Sequence, residues 1–167
     1  MIDIEINQIT LSPKQLVLDP NNPRLVATPR DRKDPAAAFD LREETLQRML
    51  GRDGKDPHGI DQICSSIKFN GWMSLDKIFV KVIDSTDQYL VLEGNRRVTA
   101  ILKLLKEGGL SSKVAKSLKA LEVMEVIHEG TDLEMKEKID FLLGLRHHGA
   151  LQKWSAFAQA KNTYKAY

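Results

Sequence analysis

The chain has 167 residues, enough for one domain with a substantial core. Its 25 Lys+Arg against 23 Asp+Glu leave a formal net charge of +2, so no global basic field advertises nucleic acid, and any such contact must come from a local patch. One cysteine excludes a disulfide framework and a cysteine-rich zinc site; with no signal peptide and no apolar run of membrane length, a cytoplasmic protein without membrane contact is expected.

Ile2, Ile4 and Ile6 alternate with Asp3, Glu5 and Asn7, the period of a half-buried strand. Leu16, Val17 and Leu18 form a second apolar element, and Asp19-Pro20-Asn21-Asn22-Pro23-Arg24 comes next. The two prolines hold this loop out of regular structure and fix the approach of Arg24. The polar stretch 26–58 holds one predicted helix. Asp34 caps it, Pro35 suits its first turn, Phe39, Leu46, Met49 and Leu50 mark its apolar positions, and Gly51 stops it. This stretch reads as an insert, serving either as a lid or partner surface or as a plain tolerated insertion. His58, near its end, reads as a loop residue without a role.

Ile60, Cys64 and Ile67 recur at helical spacing, which predicts an amphipathic helix over 60–69 closing on Asn70-Gly71, with Cys64 a buried structural thiol. Ile78, Phe79 and Val80 lead into a strand. Then comes the most informative run: Tyr89-Leu90-Val91-Leu92-Glu93-Gly94-Asn95-Arg96-Arg97-Val98-Thr99-Ala100. It reads as strand, glycine turn and helix, with Val98, Ile101, Leu102 and Leu105 as the apolar series and both arginines in the first helical turn. Uncapped N–H groups there favour an anion, the glycine lets a ligand approach the backbone, and guanidinium forks match phosphate oxygens. Cations at a helix N-terminus oppose the macrodipole, so two of them there suggest a negative partner. The competing reading is a plain turn whose arginines point into solvent. Glu93 is either a general base beside the phosphates or a structural partner of Arg96 or Arg97.

Ser111 and Ser112 open a short helix with Val114 and Leu118 inward, and 121–127 is strand-like. Thr131-Asp132-Leu133-Glu134 has capping-box spacing and starts a helix to Leu143; Gly144 interrupts it, and 150–165 reads as a final helix. The chain stops at Tyr167 in helical sequence without a C-cap, so the N-terminal part of a longer protein is expected. Strands and helices mix without regular βαβ repetition, which predicts a compact α+β domain: a small mixed sheet, surrounding helices and a helical C-terminal part.

Three elements stand in family order: the Pro23-Arg24 box, Ser66-Ile67-Lys68-Phe69-Asn70-Gly71 at a helix end, and Gly94-Asn95-Arg96-Arg97. Together they resemble the nucleotide-binding N-terminal domain of the ParB/sulfiredoxin superfamily over roughly residues 15–167, with 26–58 as an insert. The resemblance implies a single domain that binds a nucleoside triphosphate, CTP or ATP. Gly94, Asn95, Arg96, Arg97 and Arg24 would hold phosphates, and Asn70, Gly71, Trp72, Met73 and Ser74 would lie on the base side. Trp72 would stack on the base or serve as an apolar lid over the sheet edge. Sulfiredoxin has its catalytic cysteine where this chain has Asn95, which excludes that chemistry. The second phosphate element of ParB falls near Arg146-His147-His148-Gly149, without the metal-binding pair; no metal ligand is assigned, and magnesium lacks its usual ligands. Arg146 and His147 are candidate phosphate contacts, as in the phage and defence branch of the family, and Trp154 is a core residue. A metal site at His147 and His148 is disfavoured, because adjacent helical residues point about 100° apart.

The sequence thus leads to a triphosphate switch of conformation or homodimerisation in a DNA-associated bacterial or phage protein, with DNA reached through a missing region or a dimer. One rival is a nucleotide hydrolase (a weak triphosphatase), phosphotransferase or nuclease on the same fold. Another is a module that grips nucleic-acid backbone without nucleotide.

Overall fold

The computed structural model describes residues 4–84 and 86–128, of which Ile4–Ile127 form one compact unit. The expectations for Ile2, for the helices beyond Thr131 and for Arg146, His147 and Trp154 lie outside the described residues. The elements are β1 (Ile4–Leu11), β2 (Leu16–Leu18), α1 (Arg42–Leu50), α2 (Ile60–Asn70), β3 (Phe79–Val82), β4 (Tyr89–Glu93), α3 (Asn95–Glu107), α4 (Ser112–Ser117) and β5 (Leu121–His128). The fold is α+β, built on a five-stranded mixed sheet in the order β1-β5-β3-β4-β2.

The pairings decide what meets at each end of the sheet. β2 runs parallel to β4, Leu16 beside Tyr89 and Leu18 beside Val91, whereas β3 is antiparallel to β4 and parallel to β5. The carboxyl ends of β2 and β4 are therefore neighbours. The loop after Leu18 and the Gly94 turn emerge side by side, although 76 residues separate Asp19 from Asn95.

α2 lies along α3 in the same direction. Arg96 reaches Gly59, the Cys64 thiol donates to the Ala100 carbonyl at 3.7 Å, and Lys68 pairs with Glu107 at 3.9 Å. Both helix N-termini thus share the end of the molecule that carries the proline loop. Cys64 is buried as expected, and burial pushes its thiol pKa up, which keeps it protonated and inert. Val98, Ile101 and Leu104 carry the core face of α3. Leu105 is 42% exposed, contrary to the sequence expectation, because Leu104 occupies the inward position and its neighbour is rotated away.

The insert departs from its expected form in two ways. Asp34 does cap, accepting from Ala36 N at 2.9 Å, but the segment it caps is a single 3-10 turn, Pro35–Ala37, and the α-helix begins only at Arg42. Between them the Arg42 guanidinium folds back onto Phe39, bonding its carbonyl at 2.8 Å and lying 4.2 Å from its ring. Second, the insert is part of the core: Met49 of α1 and Ala38 ahead of it are fully buried, and α1 packs on α3 and β2.

Candidate anion-binding site

Asp19-Pro20-Asn21-Asn22-Pro23-Arg24 folds on its own short side chains. Asp19 Oδ1 accepts from Asn21 N at 2.8 Å and Asn22 Oδ1 from Arg24 N at 3.0 Å, two Asx turns that each close over one of the prolines. The insert completes the brace. Asn21 exchanges two bonds with the Lys33 backbone, at 2.9 and 2.7 Å, and Arg48 of α1 donates to the Leu25 carbonyl at 2.5 Å. Arg24 is presented from this frame with its side chain exposed.

Gly94 adopts φ 102°, ψ 13°, a left-handed conformation that favours glycine. The reason for glycine differs from the one expected. A Cβ there would stand 3.0 Å from Ile78 Cγ1, so the missing side chain makes room for the core and not for a ligand. No side chain caps the first turn of α3 and no acidic residue lies in it, which leaves its leading N–H groups open as donors.

The four residues of the turn separate by surroundings. The Asn95 side chain is buried; it accepts from Asp19 N at 2.9 Å and donates to the Val91 carbonyl at 3.0 Å. The side-chain amide bolts the proline loop to β4, and the backbone N–H is what Asn95 has to offer a phosphate. Arg97 faces two carboxylates, Glu93 at 3.4 Å and Asp76 at 3.6 Å. Glu93 is correspondingly a structural partner of Arg97 in this geometry. Arg96 instead crosses to α2, where its Nη2 donates to the Gly59 carbonyl at 3.4 Å. Its Nε is buried with no hydrogen-bond partner among the described residues.

At the other wall, Asp56 caps α2, accepting from Ile60 N and Asp61 N at 2.8 Å each. The bond from Asp61 N, then those from Ile60 and His58, hold its carboxyl below the usual range. His58 lies half-buried between this cap and Arg96. Burial first, then the Arg24 charge and also the Arg96 charge, hold its imidazole pKa below the ordinary value, against an upward pull from Asp56. His58, read from the sequence as a loop residue, stands at the entry of α2 directly ahead of Gly59, whose carbonyl accepts from Arg96.

The expected base-side residues are placed differently. Asn70 and Gly71 end α2, about 16 Å along its axis from Gly59. Trp72 N donates to Ser117 Oγ at 2.9 Å and Ser74 Oγ to Glu122 at 3.2 Å, ties to α4 and β5. Trp72 is half-buried on the core, Met73 is exposed, and the loop returns to the arginine turn at Asp76. Among the described residues no three His, Cys, Asp or Glu side chains converge as a metal site, and no helix is long and apolar enough to cross a membrane.

An α+β sheet with an arginine-bearing helix N-terminus at the ends of two parallel strands is the class of architecture that these elements define. No protein-family model and no curated protein matches the chain. Among solved structures, the C-terminally truncated chromosome-partitioning protein ParB from Caulobacter crescentus, complexed with CTP-gamma-S, is similar at 17% identity and a TM-score of 0.42. The match covers 80% of this chain and 51% of that one, so the chain spans about half the length of that structure. This is a weak likeness in the course of the chain, and it carries no conclusion about ligands.

Proposed function

We propose that this chain binds a nucleoside triphosphate, CTP or ATP, across the first turn of α3, and that the nucleotide switches conformation or dimerisation in a DNA-associated bacterial or phage protein. One observation carries the reading: Arg96 stands without an ion pair among the described residues in the first turn of a long helix whose N-terminus no side chain caps, and the loop bound to that turn at Asp19 carries the exposed Arg24. Terminal phosphates supply the acceptors that those N–H groups and guanidinium forks lack. Arg97 and Glu93 stiffen the turn from behind. CTP and ATP come from the family resemblance of the Gly94-Asn95-Arg96-Arg97 turn; any DNA contact belongs to a dimer or to a further region.

An enzyme on the same scaffold needs a base, and the carboxylate that the sequence offers for it, Glu93, is engaged with Arg97 at 3.4 Å. A module gripping nucleic-acid backbone would use the same cations, but a net charge of +2 with carboxylates interspersed lacks the basic stripe that such binding requires.

The test is a calorimetric titration with each of the four nucleoside triphosphates, with and without magnesium, and then a phosphate-release assay. Saturable binding without turnover is the expected outcome. Rapid turnover makes the protein an enzyme, and absence of binding to all four leaves the backbone-binding module.

A further inference from the structure

We propose that the turn after α2 is a docking surface for an acidic amphipathic helix of a partner protein. The apolar face of that helix covers Phe69, Met73 and Leu75, and its carboxylates meet the lysines of α4. The surface lies at the opposite end of α2 from Gly59, and the proposal does not draw on the triphosphate reading.

Phe69 is 90% exposed, Leu75 83% and Met73 51%, so residues 69–75 present three large apolar side chains to solvent. A lone exposed leucine is ordinary, but a cluster on one short segment marks a contact surface. The backbone beneath them is held at several points. Gly71 N donates to the Ile67 carbonyl at 2.8 Å, Trp72 N to Ser117 Oγ at 2.9 Å and Ser74 Oγ to Glu122 at 3.2 Å, while Asp76 meets Arg97 at 3.6 Å. Trp72 packs on the core, and Met73 and Leu75 stand outward on either side of the tied Ser74. A backbone fixed in this way loses little further freedom when a partner covers it, which favours association.

Charge selects the occupant. Ser117 ties the segment to α4, where Lys113 and Lys116 lie one turn apart, and Lys119 follows just after the helix. All three are exposed and form no ion pair among the described residues. No carboxylate stands between Glu107 and Glu122 in the sequence, and both of these are engaged, Glu107 with Lys68 and Lys103 and Glu122 with Ser74. Acidic side chains one turn apart on a partner helix, about 4.5 Å along its axis, match the spacing of Lys113 and Lys116. A duplex backbone offers phosphates to the lysines but nothing to three apolar side chains. An anionic bilayer spreads negative charge over the whole surface, including Asp76 and Glu122 at the border of the patch. A helix places its carboxylates only opposite the lysines.

The experiment uses the whole chain and a synthetic amphipathic helix with leucines on one face and glutamates on the other. Its controls are the same peptide with lysine in place of glutamate, vesicles of phosphatidylcholine and phosphatidylserine, and a short DNA duplex. Backbone amide shifts locate the contact, and calorimetry gives the affinity. The acidic peptide is expected to bind saturably, with the largest shifts at residues 69–75 and 113–119, and the lysine peptide not to bind. Leu75→Ser should lower the affinity at least about fivefold, and Lys113→Gln combined with Lys116→Gln should lower it and flatten its salt dependence. These side chains are exposed, so melting temperatures should stay at the wild-type value. Absence of binding by the acidic peptide, shifts that cluster elsewhere, or an affinity unchanged by both sets of substitutions overturns the proposal. Preferential binding of vesicles or of the duplex at these residues overturns it as well, and assigns the patch to a lipid or nucleic-acid surface. The wild-type shifts decide the matter even where a variant fails to fold.

Discussion

Arg96 and Arg97 are adjacent in sequence but meet different surroundings, because consecutive helical residues project about 100° apart. Arg97 turns to Glu93 and Asp76, whereas Arg96 turns to the open side at Gly59. Replacing Arg96 with alanine is therefore expected to weaken triphosphate binding by about 1.5–3 kcal/mol, the scale of a charge-assisted hydrogen bond, with little change in melting temperature. Replacing Arg97 should show the opposite balance in the same two measurements, a lower melting temperature with a smaller loss of affinity. Asn95→Ala strands a buried N–H at Asp19 and a carbonyl at Val91, and should cost about 1–3 kcal/mol in urea unfolding. The two arginines were legible as a pair from their place after Gly94. Their separation was not, since Asp76 lies 21 positions upstream of Arg97 and returns through a loop that no periodicity describes.

At the scale of elements, helix ends account for most of what local sequence could reveal. Gly51 and Gly71 terminate α1 and α2 as the sequence suggests, Gly108 ends α3, and Ser111 caps α4 by accepting from Val114 N at 3.4 Å. The start of α2 was harder to read, because Gly59 holds the capping position while the capping oxygens come from Asp56, further upstream. Asp56→Ala should cost about 1 kcal/mol in urea unfolding. Because the folded protein depresses the Asp56 pKa, its contribution is complete above the ordinary carboxylate pKa and is lost as pH falls through the lower folded value. Wild type and Asp56→Asn, which keeps an acceptor but no charge, should thus differ near neutrality and converge below about pH 3. Unfolding midpoints across that range check this; a gap that persists in acid would show that the charge is irrelevant. The split of the insert helix escaped the sequence because the Asp34 cap and Pro35 suit a 3-10 turn as well as an α-helix start.

For the molecule as a whole, the α+β class came from the mixed order of strand-like and helix-like segments, but the sheet order did not. Placing β5 between β1 and β3, and β4 between β3 and β2, depends on non-local pairing that local patterns leave open. The site depends on that order, since parallel pairing of β2 with β4 is what brings the loop at Asp19 to the α3 turn at Asn95. A site of this kind also makes a claim about salt. Binding one triphosphate among backbone N–H groups and two arginines should weaken only modestly with ionic strength, whereas duplex DNA binding falls with a slope of about −0.9 per phosphate neutralised. Affinities measured across a salt series, for the triphosphate and for a short duplex, distinguish the two.

The location of the site is read most directly from backbone amide chemical shifts of the whole chain during titration with CTP and with ATP. For the nucleotide that binds, the largest saturable shifts should fall on the amides of Asn95, Arg96 and Arg97 and on residues 58–59, and Arg96→Ala should remove them. Shifts that cluster elsewhere, or none with either nucleotide, would contradict a triphosphate site at the α3 turn.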